Sequence, residues 1–572
     1  MSSIITTLHT NFFRISRLAK LGLLCLALAI VATGVFFRFY GLDRKIYTND
    51  EATSSLRASG YTLADYGRLL DGRTRSVDEI AAYQRPGPGT TAAGTVVSLA
   101  IEDPQHAPIY YLILRAWTAT AGNSVPLRRM PSALFGTLAI LAAGWLGVEL
   151  AGPVVGLIFA LLVAVSPFQV IYSQQAREYS LWVAALAFSS ALLLRALRGN
   201  DARTWVLYAL SVAFALYTDV LFALSIAGYA LFVALTQPLR WSGPLRAFCL
   251  ATAIPIIAFA PWMYALYRGA TLVTNNYYLG SSIGFKLFWL KWIFNTGAVF
   301  FDMEYGHAPL ALFLVPVFGI VIWSIVSLVR GGAKPPALFV LSMILVPAAA
   351  LLLPDLVHHE SRSTAARYLV PLWLGLELCV SLFLARVLLQ TKPAVRVAGS
   401  AALAFLLICG IACDARNLPD DVTWADASAK PIGPIARLIN ARAHPLVIFV
   451  SDPQQWDFSV ASLTTLLRPD IRFRLLAGPA IAPGALADLR ADASGGEDEL
   501  FLLDPTPRVQ ATVAQAIPGA WKPVEIVVEA DDAMLRAARA QASASRAAVG
   551  FVAPSSSLWT PERDRYVDGT RN

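Results

Sequence analysis

Charge is what this chain most lacks. Only 15% of its 572 residues are Asp, Glu, Lys or Arg, 56% are hydrophobic, and the mean hydropathy is +0.56. That composition excludes a soluble globular protein along the whole length. Cysteine is equally sparse. Cys25, Cys249, Cys379 and Cys409 lie within apolar runs and Cys413 ends one, so no disulfide framework exists and the five read as small apolar residues. There is no Gly-x-Gly-x-x-Gly and no Walker sequence, hence no nucleotide fingerprint. Neither an internal repeat nor paired Gly/Pro-interrupted helices occur, which speaks against a repeat-built secondary transporter. The first apolar run, behind Arg14, Arg17 and Lys20, lacks a small-residue cleavage site before Arg38-Phe-Tyr and reads as a retained anchor.

What the chain does have is apolar runs of about 17–25 residues, long enough to cross the hydrocarbon core as helices. They recur from Leu18 to Cys413. The net charge of +8 reports topology rather than nucleic-acid binding, because Lys and Arg sit mostly in short loops between runs. The expected spans are 20–38, 130–150, 154–172, 180–198, 204–217, 220–236, 246–266, 309–329, 336–353, 366–389 and 396–413, about eleven in all. Two further apolar stretches, 106–122 and 286–294, are expected to lie flat at the outer interface. With 106–122 flat, the basic loops around Arg195–Arg203 and Arg240–Arg246 fall inside; were it a span they would fall outside. Domain 1–413 is thus expected to be the membrane domain, with a first outer loop at 39–129. Residues 414–572 are expected to form a small extracytoplasmic α/β domain with strands at 445–452, 471–476 and 499–504.

Acids and bases gather in the loops assigned to the outer side, whereas the inner loops are almost purely basic. Asp50 and Glu51 follow the first span. Glu102, Asp103 and His106 come later in the same loop, and Arg177 and Glu178 stand between two spans. Asp219 lies in a tight turn, and Asp302, Glu304 and His307 form another group. His358, His359, Glu360, Arg362, Arg367 and Tyr368 precede the tenth span. Ionisable groups near membrane depth are costly and point to function. Each also has a plain structural reading. Asn49 would cap a helix whose first-turn acids suit the helix dipole, Arg177 would simply pair with Glu178, and 358–362 would be a solvated loop.

The order of segments resembles the GT-C membrane glycosyltransferases, in the branch of the protein O-mannosyltransferases and the lipid A aminoarabinose transferase (glycosyltransferase family 39-like). The matching pieces are Asp50-Glu51 and HAPIYYLILRAW with His106 and Tyr110. LRRMPSALFG, SPFQVIYSQQAREYSL, LYTDV and ARYLVP complete the set, so the match covers about 40 to 371. Ala107 replaces the first proline of the usual pair, and Asp219 stands where relatives often have His. The resemblance implies a GT-C fold, a polyprenyl-phosphate-linked sugar donor, an acceptor on the outer side of a bacterial cytoplasmic membrane, and Asp50 as general base. The acceptor class, whether glycolipid, polysaccharide or protein, stays open.

The chemistry such a reaction needs agrees with the residues present. Asp50 would take the acceptor proton, with Glu51 secondary. Arg367 and Arg177 would hold the phosphate through forked donors. Tyr368 and Glu178 would attend the donor, and His106, Asp219 and Tyr110 would line the rim. Displacement at the anomeric carbon in one step would invert it. No cofactor is required, although Glu102, His106 and His307 offer ligand types a divalent metal would accept. The alternatives are a secondary transporter of a polar or lipid-linked substrate and a non-catalytic membrane scaffold.

Overall fold

The computed structural model of the protein describes residues 17–238, 242–276, 283–302, 311–332, 334–451, 459–478, 499–503, 521–525 and 557–561. After α1 (Arg17–Phe39) come α2 (Asn49–Ser59), α3 (Leu63–Gly67), strand β1 (Asp71–Ser76), α4 (Val77–Ala81), α5 (Ala92–Glu102) and α6 (Pro108–Ala121). A helical stretch follows: α7 (Val125–Ala151), α8 (Pro153–Ala164), α9 (Pro167–Ser173), α10 (Tyr179–Gly199), α11 (Ala202–Leu216) and α12 (Phe222–Thr236). It continues with α13 (Gly243–Ala258), α14 (Ala260–Asn276), α15 (Phe285–Gly297), α16 (Ala311–Arg330), α17 (Pro335–His358), α18 (Val370–Leu388) and α19 (Pro393–Arg416). The remainder holds α20 (Ile432–Asn440), β2 (Pro445–Ser451), α21 (Ser459–Leu463), β3 (Arg472–Ala477), β4 (Glu499–Leu503), β5 (Trp521–Glu525) and β6 (Ser557–Pro561).

Among the described residues, seven helices are long and apolar enough to cross a membrane, and nine spans result if the bent pairs α8–α9 and α13–α14 each count as one. The other two expected spans, α11 and α12, are helices of 15 residues each. At 1.5 Å per residue each reaches only about 22 Å, short of a hydrocarbon core of about 30 Å. They form one hairpin, so counting both or neither leaves every later loop on its expected side. The stretches expected to lie flat form α6, of 14 residues, and α15, of 13. Both are too short to cross.

The chain forms two compact units, each assembled from separated stretches. The first takes Met1–Leu42, Asp103–Ile113 and Pro126–Asp420. Its central helix is α18, with 89% of its apolar window buried inside the protein, against 17% for α1. The break between α8 and α9 matters most for the site. Pro167 disfavours a helical Ser166, and the axis turns by 59°. The buried carbonyls that the broken end leaves without a helical partner are met by Arg38, which donates to Val163 O at 2.8 Å and Ala164 O at 2.5 Å while itself wholly buried. Gly34 lets α1 come this near, since a Cβ there would meet Ala164 O at 2.2 Å.

The second unit takes Asp43–Glu102, Leu114–Val125 and Asp421–Asn572. Its sheet runs β1-β3-β2-β4-β6-β5, with β2 parallel to β3 and β4 and the other pairs antiparallel. The strands expected at 445–452, 471–476 and 499–504 are β2, β3 and β4. The division expected at 413/414, with loop 39–129 assigned to the membrane domain, needs correction. Residues 71–76 supply an edge strand to the sheet, pairing Thr74 with Arg474 and Ser76 with Arg472. Ile46, Leu69, Val77 and Ile80 share one hydrophobic core with Ile432, Ile435, Val447, Phe473 and Phe501. The loop and the C-terminal region fold together because each completes the other's apolar face.

Candidate functional site

In the first unit the site grows from the broken span. Past α9, residues 174–178 turn back before α10 begins at Tyr179. Gln174 Nε2 donates to Phe37 O at 2.6 Å and Tyr40 O at 3.0 Å, tying the turn to the end of α1. Ser132 Oγ donates to Arg177 O at 3.0 Å, and Tyr110, wholly buried, reaches the same hydroxyl at 2.8 Å. Tyr110, expected on a cavity rim, therefore braces the turn from behind.

This turn brings Arg177 and Glu178 to His106, which precedes α6. His106 Nδ1 is 2.7 Å from Glu178 Oε1, and Arg177 Nη2 is 3.3 Å from His106 Nε2 and 3.6 Å from Glu178 Oε1. The plain reading, Arg177 paired with Glu178 alone, is incomplete: the nearer partner of Glu178 is the imidazole. Tyr111 donates its hydroxyl to Glu178 Oε2 at 3.4 Å, and Arg177 Nη2 reaches Tyr179 Oη at 3.2 Å. Trp262 Nε1, bonding Pro104 O at 2.9 Å, fixes the loop that delivers His106. Sequence reasoning missed Tyr111 and Tyr179, whose only signal was adjacency to residues already chosen.

Burial raises the Glu178 carboxyl, but Arg177 and then His106 outweigh it and draw the group down to about 2. Burial lowers His106, and Glu178 more than restores it, so the imidazole sits above its usual value. Tyr111 is pushed well up, by burial first and Glu178 second, and stays a donor. Asp219, in the turn between α11 and α12, is buried and accepts from Leu221 N at 2.8 Å. Burial, with Glu178 second, raises it to about 7.

Arg367 and Tyr368 lie in a short 3-10 turn, Ala366–Leu369, leading into α18. Arg367 is half-buried, its guanidinium carbon 5.5 Å from the Tyr368 ring centroid. The approach to this turn is pinned by α15, with Trp292 Nε1 on Ser363 Oγ at 3.2 Å and Asn295 Nδ2 on Thr364 O at 2.8 Å. His358 and His359 are exposed and Glu360 pairs with Arg362 at 2.8 Å, the solvated-loop reading of that segment. Asp302 accepts from Asn417 Nδ2 at 3.0 Å. A buried pair absent from the sequence reading links α9 to α18: Gln169 Nε2 donates to Glu377 Oε2 at 3.1 Å.

The Asp50–Glu51 pair belongs to the second unit, and the two acids have different surroundings. The helix cap is Thr48, not Asn49. Thr48 and Glu51 form a reciprocal capping box, with Glu51 N donating to Thr48 Oγ1 at 3.3 Å and Thr48 N to Glu51 Oε2 at 3.0 Å. Glu51 is wholly buried, whereas Asp50 is half-buried on the first turn. The far end of α2 is held by Arg115, which donates to Ser59 O at 2.8 Å and Thr90 O at 2.8 Å. The buried Arg57 pairs with Glu102.

Among the described residues no group of three or more His, Cys, Asp or Glu is placed to hold an ion. Glu102 accepts from Arg57 and from Leu63 N, both His106 nitrogens have partners, and His307 and Glu304 lie outside the described residues.

No family model and no curated protein matches the chain. Among solved structures it is similar to ArnT from Cupriavidus metallidurans in the apo state, with TM-score 0.54 and 12% identity over 88% of this chain and 96% of that one. With the same protein bound to undecaprenyl phosphate the TM-score is 0.50 and the identity 13%, over 88% of this chain and 96% of that one. The apo Archaeoglobus fulgidus oligosaccharyltransferase is similar at TM-score 0.46 and 12% identity, over 84% of this chain and 69% of that one. What is shared at such identities is the fold, and it is the GT-C membrane fold.

Proposed function

We propose that the protein is an integral-membrane glycosyltransferase that moves a sugar from a polyprenyl-phosphate donor to an acceptor hydroxyl. The reaction takes place on the outer side of a bacterial cytoplasmic membrane, and the sheet-bearing unit is extracytoplasmic. The fold supports the class, since a protein of this fold has been solved with undecaprenyl phosphate bound. Fold alone does not fix chemistry. The observation that carries the reading is the division of labour in the acid pair. Glu51 is wholly buried and caps α2, whereas Asp50 is half-buried on the same turn and within reach of an acceptor from outside.

In this mechanism the Asp50 carboxylate takes the proton of the acceptor hydroxyl. The hydroxyl oxygen bonds to the anomeric carbon as the bond from that carbon to phosphate oxygen breaks, and the configuration inverts. The leaving group is the polyprenyl phosphate, a dianion in the making that needs positive charge. Arg367, half-buried and steadied on the Tyr368 ring, supplies forked donors suited to it. Arg177 adds positive charge from within the Glu178–His106 cluster.

The decisive experiment compares Asp50→Asn with Arg367→Ala. Asp50→Asn should lower sugar transfer by about 10²–10⁴-fold with undecaprenyl-phosphate binding kept. Arg367→Ala should weaken that binding as well. Transfer by Asp50→Asn at near wild-type rate would refute the assignment of the base.

A further inference from the structure

The helix that carries Asp50 is set into the part of the chain beyond residue 420. Asn49 and Asp50 are the first two residues of α2, and Asn49 Oδ1 accepts from Ser462 Oγ at 2.9 Å. Ser462 is wholly buried in α21. Its neighbours Val460 and Leu463 sit in the core that also holds Val77, Ile80, Ile435 and Phe473. Gln84, itself buried, also holds α21, its Nε2 donating to Ala461 O at 2.8 Å. Just ahead of α2, Ile46 N donates to Asp421 O at 2.8 Å, and the Ile46 side chain enters the same core. The first turn of α2 is thus fixed through pairs of residues 46 and 421, 84 and 461, and 49 and 462.

We propose that Ser462, steadied by Gln84, is a positioning residue for Asp50, so that the sheet-bearing unit belongs to the catalytic apparatus. The proposal rests on the reading of Asp50 as the base. A side chain on a helix ends about 5–6 Å from the axis, so a roll of about 10° carries a carboxylate about 1 Å sideways. A misplacement of about 1 Å can cost as much as 10²-fold in rate. The Ser462–Asn49 bond opposes that roll at the residue next to Asp50. The bonds from Arg115 hold the opposite end of α2, three turns away, where they act on backbone carbonyls and grip the first turn least.

The test uses full-length variants in cells lacking their own copy, with surface-glycan product followed by mass spectrometry at matched expression. Purified proteins are compared by melting temperature and by undecaprenyl-phosphate binding. Ser462→Ala and Asn49→Ala should each lower product formation by about tenfold, with melting temperature and undecaprenyl-phosphate affinity unchanged. Asn49 is exposed, so its variant stands even if Ser462→Ala fails to fold. In an Asp50→Asn background neither change should lower product formation further, because the group they position is gone. Unchanged product from Asn49→Ala would overturn the proposal. So would a loss accompanied by weaker lipid binding, or an equal further loss in the Asp50→Asn background. An active Asp50→Asn refutes the base assignment and the proposal with it. An inactive Asp50→Asn beside a fully active Asn49→Ala refutes the positioning role alone.

Discussion

Replacing Glu178 by Gln would remove one negative charge from a buried cluster while keeping its shape and an oxygen for His106 and Tyr111. Two routes give the cost. A carboxyl drawn from 4.5 to about 2 favours its charged form in the folded state by about 3 kcal/mol. Removing one partner of a buried ion pair generally costs about 3–5 kcal/mol, because the remaining cation is left uncompensated. In a protein this large that corresponds to a melting temperature lowered by roughly 3–4 °C. The sign with pH follows from the depressed value. The Glu178 contribution is fully present above about 4.5 and is lost as pH falls through about 2. The part of the gap between wild type and variant that comes from Glu178 itself should therefore hold from pH 6 to 8 and close in strong acid. The part carried through His106, whose proton Glu178 holds, falls away as pH rises through the imidazole's raised value. Combining Glu178→Gln with Arg177→Met should recover part of the loss, since both charges are then gone. The assay is thermal unfolding of detergent-purified protein. A Glu178→Gln variant melting within about 1 °C of wild type at pH 7 would show that Arg177 and His106 do not depend on this carboxylate.

Glu51→Ala should destabilise by about 2–4 kcal/mol, combining a lost cap with a buried Thr48 N–H left unsatisfied, whereas Glu51→Gln, which preserves the box, should cost about 1 kcal/mol or less. Equal stability of the two variants by thermal unfolding would count against the box. Asp219 holds its proton in the folded state up to about 7 but releases it above about 3.8 when unfolded. Its contribution therefore declines as pH rises from about 4 to about 7 and is flat beyond. Asp219→Asn should match wild type near pH 4 and exceed it by a few kcal/mol at pH 8, and identical pH profiles would exclude this titration.

The membrane helices were readable because apolar length is a direct statement of bilayer thickness. Eleven expected spans coincide with helices, yet α11 and α12 stop short because Thr218 and Asp219 turn the chain. The cluster of His106, Arg177 and Glu178 was found by asking which ionisable residues stand near membrane depth. Glu377 escaped the same question, since one acid inside the run 366–389 hardly lowers its hydropathy. Strand β1 escaped for the opposite reason. Asp-Gly-Arg-Thr-Arg-Ser has no apolar alternation, and only its pairing with β3 makes it a strand. The cap was within reach, as Thr48-x-x-Glu51 is a capping-box signature. Reading Asp50 and Glu51 as one functional pair hid it.

The misplaced domain boundary has a physical cause that bears on function. Composition changes sharply near Asp414, so a linear reading cuts there and leaves 39–129 with the membrane helices. A loop of that length can fold alone only if it buries a core of its own. Residues 43–102 contribute Ile46, Leu69, Val77 and Ile80 to the core they share with the C-terminal region, with Tyr66, Leu70 and Tyr83 packed against it. Seven apolar side chains cannot offset the entropy of ordering about sixty residues, at about 1–2 kcal/mol each for the backbone alone. The loop must borrow a core, and it takes one from residues roughly three hundred and fifty to four hundred and fifty positions later. The residue read as the base therefore sits on a helix whose stability depends on sequence that carries no catalytic signature. Substitutions at Ile435, Phe473 or Phe501, far from Asp50 in the chain, act on the helix that presents it.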